Sequence, residues 1–190
     1  MSNSAAEIRY ALLWALPEGW VSFELFQPDV QERIEAHIRD LWASAGLDPA
    51  GADEVVAAQV DVARRARDAG VLLMAASARG AGTSEDPLSA VSLTLVLRRL
   101  EDADGRPPAG GTGPVRPLVL ADSVLCGFLQ EIRTGPLLTV EALVAHREAR
   151  LLAALAVATT DPAREEEARA VSREVADTIT FLPLAGGPQS

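Results

Sequence analysis

The most decipherable pattern of apolar and polar positions in the chain lies between Leu151 and Pro183, an apolar run, a polar break, an amphipathic helix and a short apolar exit. Leu151, Ala153, Leu155, Val157 and Thr159 alternate with Leu152, Ala154, Ala156 and Ala158. Both faces are therefore apolar, as in a strand covered on both sides or a buried helix. The polar stop at Thr159-Thr160, with a helix signal directly after it, favours the strand. Asp161 suits an N-cap, and Pro162 fits the first helical position, where its missing N–H is not needed. Glu165, Glu166 and Glu167 sit where a helix dipole favours negative charge. Ala168, Val171, Val175 and Ile179 then mark one helix face. The block predicts strand, capped helix and a short apolar exit.

The rest of the chain is read from the same periodicities. Ile8–Leu16 and Trp20–Phe26 predict a hairpin about a Leu16-Pro17-Glu18-Gly19 turn. Pro28-Asp29 opens a helix, with Asp29 and Glu32 spaced as a capping box and Val30, Ile34, Ile38, Leu41 and Trp42 as its apolar stripe. Gly46 ends it. Asp48-Pro49 starts a second helix, lined by Val55, Val56, Gln59, Val62, Ala63 and Ala66 and closed at Gly70. Val71–Ala78 and Pro87–Leu100 predict strands, the second with Val91, Leu93, Leu95 and Leu97 on one face. Residues 101–116, rich in Gly, Pro and charge, predict a mobile loop. From 117 to 150 a helical pattern (Val124, Leu125, Phe128, Leu129, Ile132) competes with a meander; Gly127 and the Gly135-Pro136 turn favour strands near 124–133, 138–147 and 150–159. Residues 184–190 read as a frayed tail.

These elements predict one α+β domain over 1–190, an antiparallel sheet of about six or seven strands with helices packed on it. Apolar residues make up 48% of the chain, enough for a sizeable core. Seventeen basic and 27 acidic residues leave a net charge of −10, which disfavours nucleic acid and anionic membrane as partners. All seventeen basic residues are Arg. The absence of Lys removes Schiff-base chemistry and a P-loop lysine. Cys126 stands alone, so no intrachain disulfide forms, and a reducing compartment fits. With no basic leader region and no apolar run of about twenty residues, a cytoplasmic protein is expected.

The residues that carry chemistry are sparse. His37 and His146 are the two histidines, without metal-ligand spacing around them. Cys126 has apolar neighbours, the setting of an inert thiol. Gly80-Ala81-Gly82-Thr83-Ser84 lacks the third glycine, lysine and helix of a phosphate loop, and reads as a hairpin loop. Asp102-Ala103-Asp104-Gly105 has no glutamate at the twelfth position of a calcium loop. No catalytic residue, cofactor site or metal site is assigned. As partner contacts, Trp20 and Trp42 stand out because aromatics dominate binding hot spots. Arg98, at a strand end, and Glu165, Glu166 and Glu167, facing basic surfaces, complete that set. Trp14 is expected in the core.

Leu16-Pro17-Glu18-Gly19-Trp20 near the start and Thr160-Asp161-Pro162 with its helix at the end give the chain a resemblance to the Mog1/PsbP-type α/β fold. The likeness is to the actinobacterial group related to the LpqN lipoproteins, although no lipid-attachment cysteine lies near the N-terminus. The resemblance implies a non-catalytic binding module acting on another protein. An immunity-type inhibitor of a basic toxin and a small-ligand-binding protein using a groove between sheet and helices are the rival expectations. Monomer and homodimer are both compatible with the sequence.

Overall fold

Leu151–Thr159 is the fourth of seven strands, the middle of the sheet, hydrogen-bonded on both sides. In the computed structural model, which describes residues 10–44, 46–79, 89–100 and 115–184, the elements are β1 (Tyr10–Leu13), β2 (Val21–Glu24), α1 (Val30–Ser44), α2 (Pro49–Asp68), β3 (Val71–Arg79), β4 (Ser89–Arg99), β5 (Val115–Leu118), β6 (Leu125–Thr134), β7 (Leu137–His146), β8 (Leu151–Thr159), α3 (Glu165–Thr178) and β9 (Thr180–Pro183). Seven strands form one antiparallel sheet in the order β2-β3-β4-β8-β7-β6-β5, and β1 and β9 form a separate two-stranded ribbon. The predicted α+β class and the meander of three strands are observed.

The register explains why β8 is apolar on both faces. Leu93 and Val140 flank Val157, and Leu95 and Ala142 flank Leu155, which places these residues on one face of the sheet. That first face is covered by α3, whose Ala168, Val171, Ser172, Val175 and Ala176 are buried. The resulting core is closed to the surface: Val91, Leu95, Val140, Ala142, Val144, Ala153, Val157 and Val175 are 0% exposed. Each such Val or Leu contributes about 1.5–3 kcal/mol relative to exposure. The second face carries Ala154, Ala156 and Ala158 of β8 and is covered only in part. There α1 and α2 pack over β2 and β3 through Leu25, Val30, Ile34, Ile38 and Ala63, and Leu100, Leu143, Ala145 and Leu152 form a smaller cluster.

Local signals set the element ends. Asp48 Oδ1 accepts from Ala50 N–H at 3.0 Å at the start of α2, with Pro49 in the first turn. At β6–β7 the loop is Gly135-Pro136 alone; Gly135 has φ 60°, as a tight hairpin requires of its first loop residue. Gly127 faces β5 so closely that a Cβ there would lie 2.9 Å from Leu118. That close approach of the edge strand is the reason for a glycine inside a strand.

Four expectations are corrected. The 16–20 turn is present, with Trp20 N–H bonded to Pro17 O, but its flanking strands do not pair: β1 pairs with β9 and β2 with β3. Between them Trp14, Leu16 and Trp20 pack against the main core, so this stretch spans the core instead of folding back on itself. Leu41, expected in the apolar stripe of α1, is exposed, and Val60 replaces Gln59 and Val62 in the buried face of α2. The α1–α2 pair packs over only one edge of the sheet, so a narrower stripe suffices. Of the expected 101–116 loop, residues 101–114 lie outside the described residues, and Val115-Arg116 begin β5. Asp161-Pro162 opens a 3₁₀ turn, Pro162–Arg164, before α3 itself starts.

Ser172 on α3 is fully buried and its Oγ has no hydrogen-bond partner. Replacing it by alanine removes an unsatisfied hydroxyl. Ser172→Ala is expected to raise unfolding free energy by about 1 kcal/mol, read as a higher urea midpoint at unchanged slope; a lower midpoint refutes this.

Candidate functional site

The densest polar cluster lies where β8 hands over to α3. Thr159, the last residue of β8, donates its hydroxyl to Ala90 O at 3.0 Å and accepts from Asp161 N–H at 3.1 Å. Asp161 caps the 3₁₀ turn through Ala163 N–H at 2.9 Å and accepts a second bond from the Ser89 hydroxyl. This turn aims Arg164 back beneath the helix, where only 4% of it is exposed. Its Nη1 donates to Ser77 O and Ser89 O at 2.8 and 2.9 Å. Its Nη2 reaches Ser77 Oγ at 3.0 Å and Glu167 Oε1 at 2.6 Å, and Nε reaches Glu167 Oε2 at 2.9 Å. The planar fork thus meets a carboxylate two-to-two and ties β3, β4 and α3 together.

A second set of charges flanks the first on the outer side of α3. Glu165 accepts from Arg133 Nη2 at 2.7 Å and Arg169 Nη2 at 3.3 Å. Arg169 also reaches Glu131 and Glu166, both at 3.2 Å. Hydrogen bonding from Ser89 lowers the Asp161 carboxyl below its usual range. Arg133 does the same for Glu165, and Arg164 for Glu167. A general acid needs the opposite shift. Held ionised and fully engaged, these carboxylates join strand to helix.

The sequence-predicted partner residues are dispersed by the fold. Trp20 is half-buried against the main core. Trp42 donates Nε1–H to Asp48 O at 2.8 Å and lies against Gly51, closing the α1–α2 turn. Glu165 and Glu167 are spent in the ion pairs above, and Glu166 stays 83% exposed beside Arg169. Arg98 is exposed on the second face of the sheet. Trp14 is half-buried against the core, as expected. His37 meets the Phe23 ring at a tilt, and His146 lies between Tyr10 and Phe181 with Nδ1 accepting from Ala149 N–H at 3.2 Å. Cys126 is half-buried. The glycine loop at 80–84 and Asp102–Gly105 lie outside the described residues. Among the described residues no group of three His, Cys, Asp or Glu side chains is arranged for a metal, and no helix is long and apolar enough to cross a membrane.

Two surfaces remain uncommitted. One is the end of the molecule near the C-terminus of α3. There Ala121 N–H bonds Asp177 Oδ1 at 2.8 Å and Ala15 N–H bonds Thr178 Oγ1 at 2.9 Å, bringing the 119–124 loop and the ribbon to the same helix turn. Leu13, Leu182 and Leu184 on or beside the ribbon and Val119 and Val124 in the loop are exposed, from 42% at Leu182 to 91% at Val119. The other is the second sheet face, where exposed Ala76, Ala78, Ala90 and Ser92 adjoin half-buried Ala156 and Ala158. Sequence reasoning passed over Arg164, Ser77 and Ser89. The Arg164–Glu167 spacing was visible, but nothing in it distinguishes a buried pair from an exposed one.

Fold and surfaces together define an antiparallel α+β protein with one sheet face covered by α3 and a second covered in part. Comparison with protein-family profiles, with curated proteins and with solved structures finds no match to this chain.

Removing the buried guanidinium leaves Glu167 and two strand carbonyls without their donor. Arg164→Met is expected to cost about 3–5 kcal/mol in chemical unfolding; a loss below a fifth of that refutes the joint. The lowered carboxyls also fix a pH dependence. Their contribution is complete above the unfolded carboxylate pKa and is lost as pH falls through the lower folded values. The urea midpoint should fall on acidification through and below the ordinary carboxylate range, with a shallower fall in Glu167→Gln; parallel profiles for the two proteins would contradict this.

Proposed function

We propose that the chain is a non-enzymatic protein-binding module, an accessory or adaptor factor working in the cytoplasm, and that it is akin to the Mog1/PsbP-type proteins. The observation that carries the reading is the crowding of exposed apolar side chains at one end. Of the eleven large apolar side chains exposed among the described residues, five belong to the ribbon and the 119–124 loop. Contiguous exposed apolar surface marks interaction sites, and here it lies on backbone pinned to α3 by Asp177 and Thr178. A pre-positioned apolar patch binds without the cost of ordering a loop.

The kinship draws support from the Asp161-Pro162 cap and its helix covering an antiparallel sheet. Catalysis finds less support, because the best-organised charged cluster is consumed in structure. A shallow hollow between α1 and α2, lined by Leu25, Val30, Gln31, Val60, Ala63, Arg64 and Arg67, brings no carboxylate or imidazole to its walls.

The test is affinity capture with the tagged full chain from its native host, compared with Val119→Arg and Leu182→Arg. One stoichiometric protein retained by the parent, with at least tenfold less retained by each variant, is the expected result. Equal retention by parent and variants removes the apolar end from the account. Substrate turnover by the purified chain, lost on a point substitution, overturns the module reading itself.

A further inference from the structure

The seven-stranded sheet ends at β2 on one side and at β5 on the other. The chain through β2, Trp20-Val21-Ser22-Phe23-Glu24-Leu25-Phe26, is apolar and aromatic, with one charge and no proline or glycine. Short runs of that composition pair readily with further strands, and an outermost strand offers them an unpaired row of backbone groups. Which groups form that row follows from the ladder. Leu25 N–H bonds Leu72 O of β3 at 2.9 Å. Val21, Phe23 and Leu25 therefore turn their backbone groups toward β3, and Ser22 and Glu24 turn theirs outward. Both outward carbonyls are taken. Arg33 of α1 reaches back over the edge and donates from Nη2 to Ser22 O at 3.3 Å. Gln27 N–H donates to Glu24 O at 3.2 Å, and the Gln27 side-chain amide donates to the Glu24 carboxylate at 2.9 Å.

We propose that Arg33 is a latch that closes the β2 edge against strand addition, above all by the β2 of a second copy. An added strand must exchange hydrogen bonds with Ser22 and Glu24, and Arg33 already holds the Ser22 carbonyl. Its guanidinium is exposed on that edge. Covering it with a strand would cost its hydration without supplying a partner. A two-fold pairing of β2 with itself would also bring the two copies' Arg33 cations onto one seam, since the same patch is used twice. The far edge is closed by other means. There β5 is four residues long and carries Pro117, which has no N–H to offer an added strand. Each edge of the sheet thus carries its own block, and the one at β2 hangs on a single side chain of α1. This inference is independent of the apolar end described above, which lies on the separate β1–β9 ribbon and its neighbouring loop.

Sedimentation equilibrium of the full chain over a rising concentration series tests it. Against a parent that keeps the 20.0 kDa of one chain, Arg33→Ala should gain mass as concentration rises. Arg33→Lys, which keeps a charge and a donor, should behave as the parent. Hydrogen exchange locates the contact: the Ser22 and Glu24 amides should gain protection as Arg33→Ala associates. Adding Ser22→Pro to Arg33→Ala removes an outward N–H without touching the ladder to β3, and should abolish the gain in mass. Circular dichroism and thermal unfolding of every variant separate association from loss of fold. An Arg33→Ala protein with the parent's mass overturns the inference, as does a parent already protected at Ser22 and Glu24 by a second copy. Association that comes only with loss of fold, that leaves those two amides unprotected, or that survives Ser22→Pro overturns it as well.

Discussion

Everything in this fold depends on β8 being buried from both sides. A strand with apolar residues at consecutive positions has no solvent face to choose, so it is stable only between two other strands and beneath a covering layer. Here its neighbours are β4, from the first half of the chain, and β7, to which it is joined by a four-residue turn. The seven strands therefore cannot become one sheet until residue 159 is in place. The contacts of β4 with β8 link residues about sixty apart, so loop closure must precede the largest gain in burial.

The same strand fixes where the helix goes. β8 ends at Thr159, whose hydroxyl is committed to Ala90, and Asp161 turns the chain directly onto the first face. Small residues on α3 let its backbone lie close to the sheet, and Arg164 fastens its start to β3 and β4. A guanidinium at 4% exposure is tolerable because each of its bonds ends on a carboxylate, a strand carbonyl or Ser77 Oγ. Breaking one partner is costly while the intact set is near neutral. That asymmetry makes it a device for fixing one arrangement of helix on sheet.

How much of this was legible follows from which forces are local. β8, α2 with its Asp48 cap and the Gly135-Pro136 hairpin were written in periodicity and turn chemistry, which act over a few residues. The seven-stranded α+β architecture followed from their number and order. The partner of β1 was not legible: alternation says that Tyr10–Leu13 is extended, but only Phe181 and His146, far away in sequence, decide where it lies. The surroundings of the surface candidates were hidden for a related reason. Trp20 and Trp42 were singled out for what aromatics do at interfaces, and the fold used their bulk for packing and for an N–H bond to Asp48. Glu165 to Glu167 were read as helix-dipole charge, and all three pair with arginine, Glu166 at the exposed edge of the set. Arg98 alone among the six charged and aromatic candidates is exposed with no ion pair among the described residues.

The two faces of the sheet then pose different physical problems. On the first, leucine and valine side chains fill the space to α3 and leave nothing for a partner to add. On the second, the α1–α2 pair over β2 and β3 and the cluster of Leu143, Leu152 and Phe128 bury the two flanks, with alanine, serine and threonine between them. The small side chains run only along a strip of β4 and β8, and the burial on this side comes from the flanks of that strip rather than from its middle.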